Sequence, residues 1–171
     1  MIQNIELIIP ELFLVCCNLI LLIACLYLRT KFFSENSNII GALVLFLTSI
    51  FVLRQDPSFQ PVLSGFYSIN SFTIFFKVLL LLLSGAILFL SDNYLKKNDL
   101  HIYEFPILIC FAVLGMLIMV SSNDLMVLYI GVELQSLSLY IIAAFRRDNL
   151  RSTEAGLKYF ILGALSSGIL L

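Results

Sequence analysis

Polar positions divide this chain into six apolar runs, at about 10–28, 39–53, 71–90, 105–120, 125–144 and 152–171. A helix rises about 1.5 Å per residue, so about 20 apolar residues cross the roughly 30 Å hydrocarbon core of a bilayer. The pattern predicts an all-α transmembrane fold of six membrane-spanning helices. The first span opens at Pro10-Glu11, where proline suits a first helical turn and the acid suits the positive end of the dipole. Asn18 is its strongly polar interior residue, and Arg29 and Lys31 close it. Residues 31–38 read as a polar turn, and the short second span ends at Arg54-Gln55-Asp56-Pro57. Residues 58–70, with Pro61, Gly65 and several serines, read as an interfacial connector, partly helical. Lys77 lies within two turns of the start of the third span and reads as snorkelling to the interface. Residues 91–104 form the most polar loop, where His101 sits among Asp92, Lys96, Lys97 and Asp99 and is no site candidate. The fourth span is entered past Pro106, and Asp124 caps the fifth after a tight turn.

The fifth run carries one acid, Glu133, near its middle. Residues 4, 7 and 11 apart share a helical face, so Tyr129, Glu133, Ser136 and Tyr140 form one polar stripe. A carboxylate at this depth is costly, and such groups face protein interior and mark ion or proton paths. The sixth run begins Ser152-Thr153-Glu154 and places Lys158 two turns inside. Its pairs Gly163/Ser167 and Ala164/Gly168 let a neighbouring helix approach closely. Spans five and six are joined by a short loop and are predicted to be antiparallel neighbours. Glu133 then lies roughly 12 Å below one surface and Lys158 roughly 9 Å from the other, within a turn or two in height. Burial favours a neutral acid and a nearby ammonium favours the carboxylate. Moving the lysine's charge would therefore switch Glu133 between holding and releasing a proton. The alternative is a static ion pair that fixes packing; the hydroxyls around Glu133 favour hydration and transport.

Composition agrees with a membrane protein: 61% of the 171 residues are hydrophobic and 12% are charged, with a mean hydropathy of +1.05. No basic run or aromatic–basic interleaving suggests nucleic acid. Cys16, Cys17, Cys25 and Cys110 lie inside apolar stretches without a CxxC, so packing is expected rather than metal binding or disulfides. Dinucleotide, P-loop and haem motifs are missing. The start of the chain does not resemble a cleavable signal or a transit peptide. The loops after spans one, three and five hold Arg29, Lys31, Lys96, Lys97, Arg146, Arg147 and Arg151. The other polar segments hold Arg54, while Lys77 and Lys158 lie within spans. This bias places the odd-numbered loops on the cytoplasmic or matrix side and the amino terminus outside.

Two segments carry a resemblance. Ser122-Asn-Asp-Leu-Met-Val-Leu-Tyr-Ile-Gly-Val-Glu-Leu-Gln-Ser-Leu-Ser-Leu-Tyr140 resembles the fifth helix of the subunit 2 family of respiratory complex I (NADH:ubiquinone oxidoreductase). Glu154-Ala-Gly-Leu-Lys-Tyr-Phe-Ile-Leu-Gly-Ala-Leu-Ser-Ser-Gly-Ile-Leu-Leu171 resembles the start of its sixth. The resemblance implies a proton-pumping, antiporter-like membrane-arm subunit. Residues 1–104 would carry three leading helices and connectors, and residues 105–171 the fourth to sixth helices, which start the first inverted repeat. Glu133 would be the key acid and Lys158 the sixth-helix lysine of the proton path, with Tyr129, Ser136 and Tyr140 beside them. No cofactor is expected in this chain; FMN, iron–sulfur clusters and quinone would belong to other subunits of the complex. Its partners would be those membrane-arm subunits, lipid, and a second polypeptide supplying the remaining helices, including a broken seventh with a further lysine. The expected setting is the mitochondrial inner membrane, amino terminus toward the intermembrane space, with a bacterial plasma membrane as the alternative. The alternative functions are a subunit of a multi-chain cation/proton antiporter and a purely structural membrane-arm subunit.

Overall fold

The computed structural model describes residues 6–28, 31–55, 60–62, 65–97 and 103–171. Its elements are α1 (Ile9–Leu28), α2 (Lys31–Leu53), β1 (Gln60–Val62), β2 (Tyr67–Ile69), α3 (Ser71–Lys97), α4 (Glu104–Ser121), α5 (Leu125–Ala143) and α6 (Leu150–Leu170). By length and composition α1 to α5 suffice to cross a membrane. The sixth predicted span is also helical, but Arg151, Glu154 and Lys158 fall in its first three turns. It is less apolar than the other five as a result.

Three segments differ from expectation. Residues 31–38 continue as the first turns of α2 and make no polar turn. At the other end of the bundle α3 runs on to Lys97 through the predicted loop. Asp92 explains that extension. It is buried, it accepts from Asn38 Nδ2 at 3.0 Å, and it meets Lys96 at 2.6 Å one turn later on the same helix. The connector between α2 and α3 holds a short antiparallel hairpin, with Gln60 opposite Ile69, in place of the expected helix. Gly65, with a φ of 98°, takes the left-handed turn that a side chain would resist. Asp99 and His101 lie outside the described residues.

α4 is the centre of the bundle, packed by α1, α2 and α3 on one side and by α5 on the other, while α2 also packs along α3. The core joins Leu14, Leu45, Leu81, Leu88, Val113 and Leu117, each almost wholly enclosed. Pro106 falls in the first turn of α4, where its missing N–H costs no helical bond. Asp124 caps α5 as expected, its side chain accepting from Met126 N at 2.7 Å. α4 and α5 approach with backbones in contact: a Cβ on Gly115 would stand 2.6 Å from the Gly131 carbonyl oxygen. This small-residue packing replaces the hydrophobic drive that is missing between helices in lipid. α6 is mostly exposed and packs against α5.

The hairpin defines one end of the bundle. There Gln55 Nε2 donates to Leu7 O at 2.7 Å, and Asn123 bonds the hairpin through Phe66 O (3.0 Å) and Gly65 O (2.9 Å). The opposite, basic end carries Lys96, Lys97 and the α5–α6 loop, where Arg147 meets Glu104 at 3.0 Å.

Candidate functional site

The polar stripe of α5 lies on the face turned away from α4. Gly131 and Ser138 are buried on the α4 side, and Tyr129, Glu133, Ser136 and Tyr140 follow one another on the opposite side. Tyr140 shows what covers that face. Its ring meets Tyr159 edge-on at 4.8 Å and Phe160 at 5.7 Å between centroids, and its hydroxyl occupies the space that a side chain on Gly163 would need. The glycine expected to permit helix approach thus receives an aromatic ring from α5. Gly168, in the second predicted pair, has nothing within 4 Å of where its Cβ would stand.

Glu133 is half-buried, and its Oε2 is enclosed without a hydrogen-bond partner. Ser136 Oγ donates to the Glu133 carbonyl oxygen at 3.0 Å, which turns the hydroxyl to backbone and leaves the carboxylate to other donors. Lys158 engages Glu154 at 2.6 Å, one turn earlier on α6, with side chains 70% and 62% exposed. The structure therefore does not bring Lys158 to Glu133. Helix geometry gives the reason. Tyr140 is level with Tyr159, so Glu133 stands about 10 Å above that level and Lys158 about one residue below it. A lysine side chain does not close such a gap while held to Glu154. Toward the basic end the stripe opens into a largely apolar cleft of about 440 Å³ lined by Tyr140, Phe145, Gly156, Leu157 and Phe160.

A second set of charges, missed in the sequence, is fully assembled. Lys77 has no exposed surface. Its Nζ donates to Glu11 Oε1 at 2.5 Å and to the Tyr67 hydroxyl at 2.9 Å, and that hydroxyl donates to the same Glu11 oxygen at 2.5 Å. Lys77 thus does not snorkel: a carboxylate and a phenol inside the bundle satisfy it better than a reach to the surface could. Burial first, and Glu11 beside it, hold the Tyr67 hydroxyl well above the ordinary tyrosine range, so it stays a donor. The signal for this cluster was present. Glu11 and Lys77 both fall near the starts of parallel spans, opposite in sign and at the same end.

Residues 122–171 match the family model described as NADH:quinone oxidoreductase/Mrp antiporter, transmembrane. NADH-quinone oxidoreductase subunit N of Pelagibacter ubique is 41% identical over 169 residues, covering 99% of this chain and 36% of that protein. The subunit N of Parvibaculum lavamentivorans is 50% identical over 133 residues, 77% of this chain and 28% of its own. Among solved structures, a chain of respiratory complex I from Thermus thermophilus superposes with a TM-score of 0.70 at 24% identity, over 93% of this chain and 34% of that one. The chain is thus similar in sequence to NADH-quinone oxidoreductase subunit N and in fold to a chain of respiratory complex I. The chain spans about a third of the length of these curated relatives. The matched family segment contains the whole polar stripe and Lys158. The Glu11–Lys77 cluster lies outside it.

Proposed function

We propose that the chain works in the membrane arm of an NADH:quinone oxidoreductase, the activity its relatives' names carry, contributes there to a proton path, and holds no redox centre. The observation that supports this best is the bare, enclosed oxygen of Glu133 in the middle of a helix with no other charged side chain. A carboxylate fixed only for packing would be paired within the bundle, whereas one awaiting a proton or a mobile donor is left free. Glu133 is the switchable acid, and Tyr129, Ser136 and Tyr140 line its approach along α5. Lys158 is the relay lysine: by leaving Glu154 and extending along α6 it would bring its charge toward Glu133. The exposed apolar faces of α5 and α6 receive further antiporter-like helices, and a basic group on these helices completes the carboxylate's surroundings. Other membrane-arm subunits and lipid cover the remaining faces. The setting is an energy-coupling membrane. The resemblance of residues 122–140 and 154–171 supports the mitochondrial inner membrane and subunit 2, while the bacterial organisms of the relatives support a plasma membrane and subunit N.

Replacing Glu133 by Gln in the assembled enzyme is expected to reduce proton pumping per NADH oxidised at least several-fold with normal assembly. Unchanged pumping would leave a scaffold role. The family model's description also names Mrp antiporters, which favours as a second reading a multi-chain cation/proton antiporter subunit. Co-purification with NADH dehydrogenase activity separates the two, and the same preparation reveals whether a second polypeptide lies against α5 and α6.

A further inference from the structure

The Glu11–Lys77–Tyr67 cluster is unevenly satisfied. Glu11 Oε1 accepts two hydrogen bonds, from Lys77 and Tyr67, while Oε2 is enclosed and has no protein partner. The hydroxyl of Ser121, at the end of α4, is also fully enclosed and makes no hydrogen bond of good geometry, although it lies close enough to the Tyr67 hydroxyl to favour that group's ionised form. Two orphaned oxygens at one buried charge cluster are a rare arrangement, because enclosed polar atoms in native proteins almost always have a protein or water partner. A site with several convergent polar groups is the kind that holds an internal water. It is also shallow. Glu11 is the third residue of α1, and the roof over it is β2, tied to the α4–α5 turn through Asn123.

We propose that Glu11, Tyr67, Lys77 and Ser121 form a second proton-exchanging site, separate from Glu133. In it, one internal water bridges Glu11 Oε2 and Ser121 Oγ and carries protons between Glu11 and the hairpin end. The step moves one proton. The bridging water gives a hydrogen to Oε2 and takes one from a hydronium ion at the surface, which is left as water, while Lys77 remains an ammonium and Tyr67 keeps its hydrogen. The facing groups come from each surrounding element: Glu11 from α1, Tyr67 from β2, Lys77 from α3 and Ser121 from α4. No other titratable side chain among the described residues bonds to them. A static clamp would need neither the free oxygen nor the enclosed hydroxyl. The inference does not depend on the role given to Glu133.

The test is infrared spectroscopy of the full chain in lipid nanodiscs, titrated with acid in H2O and in D2O. Expected is a protonated-carboxyl band that grows on acidification, is lost in Glu11→Gln and persists in Glu133→Gln. It should shift on transfer to D2O at a rate that rapid mixing resolves. Ser121→Ala, which leaves the ion pair whole, is expected to slow that shift about tenfold, the scale of one lost hydrogen bond to a charged group. If Glu11→Gln does not fold, Glu11→Asp moves the band's frequency and keeps the assignment. A Glu11 band that stays unexchanged for hours, or exchanges at the same rate in Ser121→Ala, overturns the proposal in favour of a dry clamp. Failure of Glu133→Gln to affect pumping would leave this result untouched.

Discussion

Removing Lys77 would leave Glu11 as an uncompensated charge inside the bundle, with Tyr67 as its remaining donor. Breaking a buried pair from one side costs about 3–5 kcal/mol, whereas replacing both partners by apolar groups of similar volume is often close to neutral. Lys77→Met is therefore expected to lower stability by about that amount, and adding Glu11→Leu to recover most of it. Unfolding of the detergent-solubilised chain measures both, and equal losses in the single and double variants would refute the pairing energy. Sequence gave Lys77 a depth but no partner, because Glu11 lies 66 positions earlier and Tyr67 reaches the pair through a hairpin. Hydropathy alone reads a lone lysine near a helix start as exposed, whereas the opposite charge of Glu11 near the start of a parallel span points to a partner.

Element boundaries within the apolar runs were legible because transfer from water dominates at that scale: each of the five most apolar runs became one helix. What went unread was where polar residues hold a helix together beyond the apolar run. Asp92 is buried through Asn38, 54 positions away, and so draws α3 past its predicted end. Contact between α4 and α5 depends on two glycines that apolar counting ignores. Gly115→Ala is expected to cost about 1–3 kcal/mol, since the added methyl meets the backbone of α5 and cannot be accommodated by a rotamer change. Gly168→Ala on α6 meets open space and is expected to be neutral or to gain up to about 1 kcal/mol in helix propensity. Reversible unfolding of the two variants tests the contrast, and similar values for both would show that backbone approach does not govern α4–α5 association.

At the scale of the molecule, the fold gathers the basic loops at one end of the bundle. The helices alternate in direction, so the starts of α1, α3 and α5 and the ends of α2 and α4 gather at the hairpin end. Arg54 is the exposed base described there, whereas Lys96, Lys97, Arg146, Arg147 and Arg151 gather at the opposite end. Basic loops are retained on the cytoplasmic or matrix side. If that bias holds for this chain, the Glu11 cluster faces the outer surface and the Arg147–Glu104 pair the inner one. In a chain freed of its four native cysteines, Asn123→Cys is expected to react with a membrane-impermeant maleimide from outside. Asp148→Cys is expected to react only after permeabilisation. Both positions are exposed on short turns outside the apolar runs, so a reversed pattern would reflect orientation rather than access. Reversal would put the Glu11 cluster on the inner side and the basic end outside, against the charge bias.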